Sequence, residues 1–521
     1  MGVRVHTDSA TRMDASESES RPVGISLAVL ADELDGTLHG AEHARVVDVA
    51  QDSRRELRDT LFVALQGARA DGCRYAPEAV RRGASAVMCE VGRAAELEPL
   101  GVPVIEVRGV RRAMARAAAL VHGEPTRALR VVGITGTNGK TTTAHLVEAA
   151  LIATGGVTGV VGTLGHRLGL EVFGEGHTSP EADELQRLAA LMRGRGASHL
   201  VMEVSSIALA NERVSEVEFD VAAFTNLTQD HLDFHGSMEA YAASKDRLFL
   251  EHRPRISVVN VDDPYGAELA GRIRDSGLAL ITVSARSDSD ADLVPSRVEA
   301  SPAGITLEFE DGASLRSMLV GNYNVSNLLV ALGVVRALGL DSRSFEGLGD
   351  MRTVAGRLER CDEPGLDDIV VAVDYAHTPD ALDRVLANIR GFTEGKLWCV
   401  FGCGGDRDPR KRAPMGEAVA RAADVVVVTN DNPRGEDPEA IAKEILVGIE
   451  RISTAGRCVV ELDRARAIRL AIEEASAGDV VLVAGKGHEP YQIIGEHTLA
   501  FDDRVEARAA LARRRDQSGG A

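Results

Sequence analysis

Val131-Val132-Gly133-Ile134-Thr135-Gly136-Thr137-Asn138-Gly139-Lys140-Thr141-Thr142-Thr143 decides the fold, because a β-branched run enters a glycine turn and leaves it on a lysine followed by hydroxyls. The run predicts a strand over 129–135. Gly136 and Gly139 permit a tight turn in which backbone N–H groups converge on anionic oxygen, Lys140 adds a point charge, and Thr141 offers a hydroxyl to Mg²⁺. Leu146, Val147, Ala150 and Leu151 share one face of the helix that follows, whose N-terminus points its partial positive charge at the same place. The common phosphate-loop pattern needs glycine at position 134, which here is Ile134. The loop is a shorter variant of that pattern.

Around this loop, apolar strands alternate with helical stretches. Strands are predicted over 199–204, 220–226 and 256–261, describing a mainly parallel sheet covered on both faces. Between 281 and 319 short alternating segments with Gly and Pro predict an antiparallel flap, and a long helix is expected over 324–338. Upstream lies a small α/β unit, with a helix over 25–34, strands over 60–65, 86–89 and 104–107, and helices over 76–82 and 112–121. Downstream the alternation resumes, with strands over 369–373, 397–401, 424–429 and 480–484. Each ends in a polar or glycine-rich loop: 374–377, 402–407, 430–434 and 485–489. Ligands bind at the carboxyl ends of strands in such sheets, so the four loops converge on one crevice.

With 521 residues the chain exceeds one compact core, and at about 150 residues per domain three are expected. The boundaries fall at 1–22 (a polar tail), 23–126, 127–353 and 354–521. A net charge of −20 disfavours nucleic acid and anionic lipid, and 3% aromatic content with a single Trp398 argues against an aromatic groove. The six cysteines show no paired zinc-ligand spacing and read as reduced thiols. No apolar run reaches ~18 residues and no leader is evident, so a cytoplasmic protein without membrane insertion is expected.

Four further residues carry chemistry. Glu203 ends an apolar strand, where phosphate-loop proteins commonly place a carboxylate for Mg²⁺. His231 lies in a polar loop after a buried strand, where a lone histidine reads first as structural and second as functional. Lys245 shares a helical stripe with Tyr241, Leu248 and Phe249, with Ser244, Asp246 and Arg247 off it. Two accounts of it stand: a side chain that snorkels, or a desolvated neutral amine able to add CO₂ and become a metal acceptor. Arg434, after Asn432 and Pro433 at a strand end, can hold a carboxylate bidentately.

These residues resemble the Mur ligases of peptidoglycan synthesis over nearly the whole chain after the tail. The marks are Asp52-Ser53-Arg54, Leu61-Phe62-Val63-Ala64, the loop from Gly136 to Thr142, Met202-Glu203-Val204-Ser205-Ser206, Asp230-His231-Leu232-Asp233, and Asn324 with Asn327. Gly356-Arg357, Asp374 to Pro379, Gly402 to Arg407, Asp431 to Arg434 and Gly485 to Glu489 complete them. Ile207, Tyr323 and the His177-Thr178-Ser179 run depart from the family's usual histidine, phenylalanine and Asn-Thr-Thr.

The resemblance implies a three-domain α/β enzyme: a small N-terminal domain, a central phosphate-loop domain and a Rossmann-like C-terminal domain. It would be an ATP-dependent amide ligase that adds the third residue to the peptide stem of a cell-wall precursor. ATP would meet Gly136, Thr137, Asn138, Gly139, Lys140, Thr141, Thr142, Asn324, Arg357, Asp374 and His377. Mg²⁺ would sit near Thr141, Glu203, His231 and Lys245, the last carbamylated, with Lys140, His231 and Lys245 serving catalysis. The UDP-muramoyl-peptide would contact Ser53, Ala68, Arg69, Ala70, Thr178, Ser179, Ser205 and Arg213. The incoming amine would be meso-diaminopimelate, held by Arg407, Asp431, Asn432, Pro433, Arg434, Gly485 and Glu489. The other partners would be small molecules only, and a monomer is expected. A lysine-adding relative, a folylpolyglutamate synthetase and a nucleotide-gated regulatory protein are the competing readings. The 431–434 loop opposes the first of these and the uridine-domain motifs oppose the second. Lys245 on an apolar helix face, with four aligned loops in the last domain, opposes the third.

Overall fold

The computed structural model describes residues 24–67, 70–174, 177–301, 304–351, 356–452 and 456–518. The expected tail, Ala68 and Arg69 lie outside them. The chain groups into two compact units, one up to Gly123 and the other from Glu124 onward.

The first unit is built on a five-stranded sheet ordered Thr37–His39, Val104–Val107, Ala84–Glu90, Thr60–Val63, Asp48–Ala50, parallel except for its first member. Two boundaries differ from expectation. Ile25–Ser26 pairs with Arg45–Val46, and the Ser26 side chain caps the helix Leu27–Glu33, so the helix begins two residues late. The strand expected over 60–65 ends at Val63, because Leu65 turns to bond Gly72.

The second unit holds two large sheets. In the eight-stranded one, the phosphate-loop strand Arg130–Thr135 lies between His199–Glu203 and Val221–Phe224, with Ile256–Asn260 and Leu280–Val283 beyond, all parallel. Side chains alternate across this sheet. Val132, Ile134, Val201 and Ala223 face the helices Lys140–Ala153 and Tyr323–Ala337, while Val131, Leu200, Met202 and Phe224 pack on the opposite face with Leu248, Phe249 and Leu269. The Tyr323–Ala337 helix is buried nearly all round, since the antiparallel sheet Arg297–Ser301, Gly304–Glu308, Ser314–Ser317 adds Ile305, Leu307 and Leu315 to the same core. That sheet is the expected flap, but Leu280–Val283 belongs to the parallel sheet instead. The antiparallel edge formed by Gly165–Leu168 and Glu171–Gly174 was not anticipated, being short and polar.

The second large sheet runs Glu359–Arg360, Val370–Asp374, Val480–Ala484, Leu397–Phe401, Val425–Val428, Arg457–Val460, parallel after its first strand. Helices cover both faces, one of them Asp503–Ser518, which contributes Ala507, Ala510 and Leu511 to the core. Parallel pairing puts the carboxyl ends of these strands on one side, so the loops after Asp374, Phe401, Val428 and Ala484 emerge together. Among the described residues no helix is long and apolar enough to cross a membrane.

Candidate active site

The phosphate loop is braced from three directions. Gly136 has φ +144° and Gly139 φ +87°, conformations that side chains rarely adopt. A Cβ on Gly136 would stand 1.9 Å from Thr225 Oγ1, and one on Gly139 2.3 Å from Asn327 Oδ1. Asn226 accepts from Thr137 N through its carbonyl (2.8 Å) and from Asn138 N through Oδ1 (3.0 Å), and Thr225 Oγ1 donates to Asn138 O (2.6 Å). Asn327 in turn donates to Asn324 Oδ1 (2.9 Å), and Asn324 donates to Val320 O, so Asn324 reaches the loop through its neighbour. Gly139 has no side chain with which to cap the helix Lys140–Ala153, whose first N–H groups therefore suit an anion.

Two lysines meet at one carbonyl oxygen. Lys140 Nζ donates to Gly136 O and Thr137 O, both at 2.9 Å, and Lys245 Nζ donates to the same Gly136 O at 3.0 Å. Lys245 is fully buried in the helix Met238–Leu250, and its ammonium lies 4.4 Å from the centroid of the Tyr241 ring. Burial, reinforced by the charge of Lys140, holds its pKa well below that of an ordinary lysine. Asp246, expected off the buried stripe, is buried as well. Tyr265 and Arg272 of the next helix bond its carboxylate, which removes the cost of enclosing it.

Glu203 is buried at its strand end. Its carboxylate accepts from Thr141 Oγ1 (3.0 Å), Thr163 N (2.8 Å) and Thr163 Oγ1 (3.2 Å). Thr141 and Glu203 thus form a pair of hard oxygen donors beside a phosphate loop, a set that suits Mg²⁺, which takes one or two carboxylates plus phosphate oxygens. His231 makes no hydrogen bond to either of them. Its backbone is left-handed (φ +51°), its Nε2 lies 3.4 Å from Asp230 Oδ2, and its half-exposed ring meets Tyr241 edge-on. Among the described residues no three His, Cys, Asp or Glu side chains are grouped to hold a metal.

The residues expected to meet the peptide form a strip continuing from Glu203. Thr178 Oγ1 lies 3.0 Å from Thr163 Oγ1, Ser179 Oγ donates to Glu203 O (2.9 Å) and accepts from Ser205 N (3.0 Å), and Arg213 donates to Ser179 O (3.0 Å) while pairing with Glu181 (2.6 Å). In the first unit Ser53 is buried and Ala70 O accepts from Gly67 N.

The last sheet brings its loops together as expected. Asp374 accepts from Leu358 N and Ala376 N, both at 2.8 Å, and burial raises its pKa against the pull of Arg357. Arg357 stacks 4.9 Å over the Tyr375 ring. His377 Nδ1 faces Tyr375 O at 2.8 Å, which places the ring proton on Nδ1, and burial lowers its pKa. Gly485 N bonds Asp374 O, and a Cβ there would meet Asp431 Oδ2 at 2.7 Å. Arg434, another left-handed residue (φ +50°), donates to Gly405 O at 2.8 Å, and the exposed Arg407 flanks the same glycine turn. The hairpin Tyr491–Ile494, His497–Ala500 props this region: Arg434 N bonds Ile493 O, and Gln492 donates to Asp431 O, beside Pro433. The sequence reading missed Asn327, Thr163 and Lys486 as site residues. Only Asn327 carried a signal, its spacing of one helical turn from Asn324.

A nucleotide-phosphate loop joined to a second α/β sheet with convergent loops defines an ATP-dependent ligase. Three family models match: Mur ligase family, catalytic domain, over 48–122; Mur ligase middle domain over 134–335; and Mur ligase, glutamate ligase domain, over 356–487. A curated relative from Gloeobacter violaceus, named UDP-N-acetylmuramoyl-L-alanyl-D-glutamate--2,6-diaminopimelate ligase, is 46% identical over 478 residues, covering 91% of this chain and 95% of that protein. One of the same name from Streptomyces coelicolor is 44% identical over 501 residues, covering 94% and 98%. A solved structure of a ligase so named aligns with TM-score 0.67 and 31% identity over 94% of this chain and 99% of its own. The chain belongs to the Mur ligase family.

Proposed function

We propose that this enzyme joins meso-diaminopimelate to UDP-N-acetylmuramoyl-L-alanyl-D-glutamate with ATP, in the cytoplasm, as a monomer of three domains spanning 23–126, 127–353 and 354–521. The observation that carries the choice of amine is the joining of two loops: Asn432, two residues before Arg434, donates to Glu489 Oε2 at 3.0 Å. A guanidinium and a carboxylate thus belong to one bracket. Diaminopimelate carries at its far end the carboxylate and ammonium that such a bracket fits, and lysine lacks the carboxylate.

The chemistry runs in two steps. The terminal D-glutamate carboxylate attacks the γ-phosphorus of ATP, giving an acyl phosphate and ADP. The substrate amine then attacks the acyl carbon, losing a proton as phosphate leaves. Lys140, released from its loop carbonyls, and the helix N–H groups behind it offset the charge on the transferring phosphoryl group. Thr141 and Glu203 would hold Mg²⁺, which when bound supplies further charge stabilisation at that group. Thr178, Ser179, Ser205 and Arg213 orient the peptide, with Ser53, Ala68, Arg69 and Ala70 holding the uridine diphosphate. Asn324, Arg357, Asp374 and His377 hold the nucleotide, while Arg407, Asp431, Pro433 and Gly485 shape the amine pocket. Lys245, whose pKa burial lowers, adds CO₂ as its neutral amine and loses a proton to become a carbamate that, with His231, would support the bound metal and phosphate.

The test is a ligase assay over a panel of amino acids. ADP and phosphate are expected only with the UDP-muramoyl-dipeptide plus meso-diaminopimelate. Arg434→Ala should raise the amino-acid KM by about 10-fold or more while leaving the ATP KM within about twofold. Equal turnover with L-lysine would overturn the choice of amine.

A further inference from the structure

Lys486 is a fully buried cation in a loop of glycines, Gly485-Lys486-Gly487. Its ammonium donates to Asn432 Oδ1 at 3.1 Å and to Glu489 Oε2 at 3.1 Å, and lies 5.4 Å from the centroid of the Tyr491 ring. Asn432, itself 2% exposed, accepts at the same Oδ1 from Ile493 N (2.9 Å). Two donors on Oδ1 fix which way the amide faces, so Nδ2 must point to Glu489. Glu489 Oε2 therefore takes two hydrogen bonds, one from Lys486 and one from Asn432. Its Oε1 takes none from the described residues, and the side chain is 20% exposed. One carboxylate oxygen is anchored from behind and the other is presented outward.

Enclosing an ammonium is costly even when it is paired, so burying one here is an expensive way merely to fill a turn. What it achieves is orientation. We infer that Lys486 is a positioning residue for amine selection, holding Glu489 and Asn432 so that Glu489 Oε1 receives the ammonium at the far end of the incoming amino acid. The inference rests on the reading that this amino acid is diaminopimelate. Lys486 does not touch the substrate; its effect passes through Glu489.

The experiment compares meso-diaminopimelate with 2-aminopimelate, which keeps the far carboxylate and lacks the far ammonium, in the native chain, Lys486→Met and Lys486→Gln. Glutamine retains a donor for Asn432 Oδ1 without the charge. In the variants the diaminopimelate KM should rise by about 10- to 100-fold, with kcat and the ATP KM within about twofold, the size seen when a residue orienting another ligand is lost. The native preference for diaminopimelate over 2-aminopimelate should collapse to within about threefold of unity, because the group that reads the ammonium is no longer aimed. A preference unchanged in whichever variant folds overturns the inference, as does failure of both to fold, which would make Lys486 a structural pin. If the native enzyme does not use diaminopimelate at all, the substrate reading fails instead, and the two failures are distinct.

Discussion

Gly136 O is where residue chemistry is most concentrated, since two ammonium groups share one oxygen and one of them has no other exit from the core. Lys140 sits at the loop and can leave for a phosphate; Lys245 cannot. The proposed carbamate is tested by Lys245→Ala, which should lose most turnover and regain part of it when a short carboxylate such as acetate is added. Intact-mass measurement of the native chain should show the mass of one CO₂. No rescue and no added mass would count against the carbamate. Lys245 was legible in the sequence because a helical period is a geometric rule, and Tyr241, Leu248 and Phe249 announced its stripe. Asp246 was misread since its partners, Tyr265 and Arg272, come from another helix. Lys486 was illegible for a similar reason: between two glycines a lysine looks solvated, and its burial depends on Asn432, Glu489 and Tyr491 arriving from elsewhere.

Among elements, the helix Asp503–Ser518 shows how the last sheet is locked. Asp503 and Arg464 are both completely enclosed and paired at 2.7 Å, and Arg464 also donates to Asn430 O (3.1 Å) and Ala484 O (3.0 Å), the roots of two site loops. Asp503→Ala would leave a guanidinium buried and unpaired, and should cost about 3–5 kcal/mol in urea unfolding. Replacing both partners with apolar residues, Arg464→Met with Asp503→Leu, should recover most of it. A loss below about 1 kcal/mol for the single change would show that water reaches the pair. Most parallel strands were legible to within a residue or two at their ends, because strands buried on both faces need continuous apolar runs such as Val480 to Ala484. Asp48–Ala50 and Thr158–Gly162, however, were not predicted, and Leu280–Val283 was read into the flap. The edge strands Glu171–Gly174 and Arg457–Val460, and Gly165–Leu168 beside the first of them, were not legible, since strands at an edge can be polar and take their register from a neighbour.

At the scale of the whole chain, proton binding is set by histidines. Burial holds His166, His199, His252, His377 and His488 below the ordinary imidazole pKa. The unfolded chain therefore binds protons at these sites that the folded one refuses, so their contribution is complete above about pH 6.5 and is lost as pH falls toward the folded values. The Tm should drop between about pH 7.5 and 5.5, and calorimetry in two buffers of different ionisation enthalpy should show proton uptake on unfolding near pH 6. A Tm that rises over that interval would refute the assignment. The net charge of −20 was legible at once and speaks to partners, whereas this proton balance needed burial, which composition does not contain. The position of the closing helix also bears on manufacture. The strands Val370–Asp374, Val480–Ala484 and Leu397–Phe401 present Val371, Val373, Val481, Val483 and Val400 to a layer that Ala507, Ala510 and Leu511 help complete. On the ribosome that valine-rich face, covered in part by Ala467, Ile468, Ala471 and Ile472, stays incompletely covered until the helix has cleared the exit tunnel. For that interval the nascent chain is a client for chaperones.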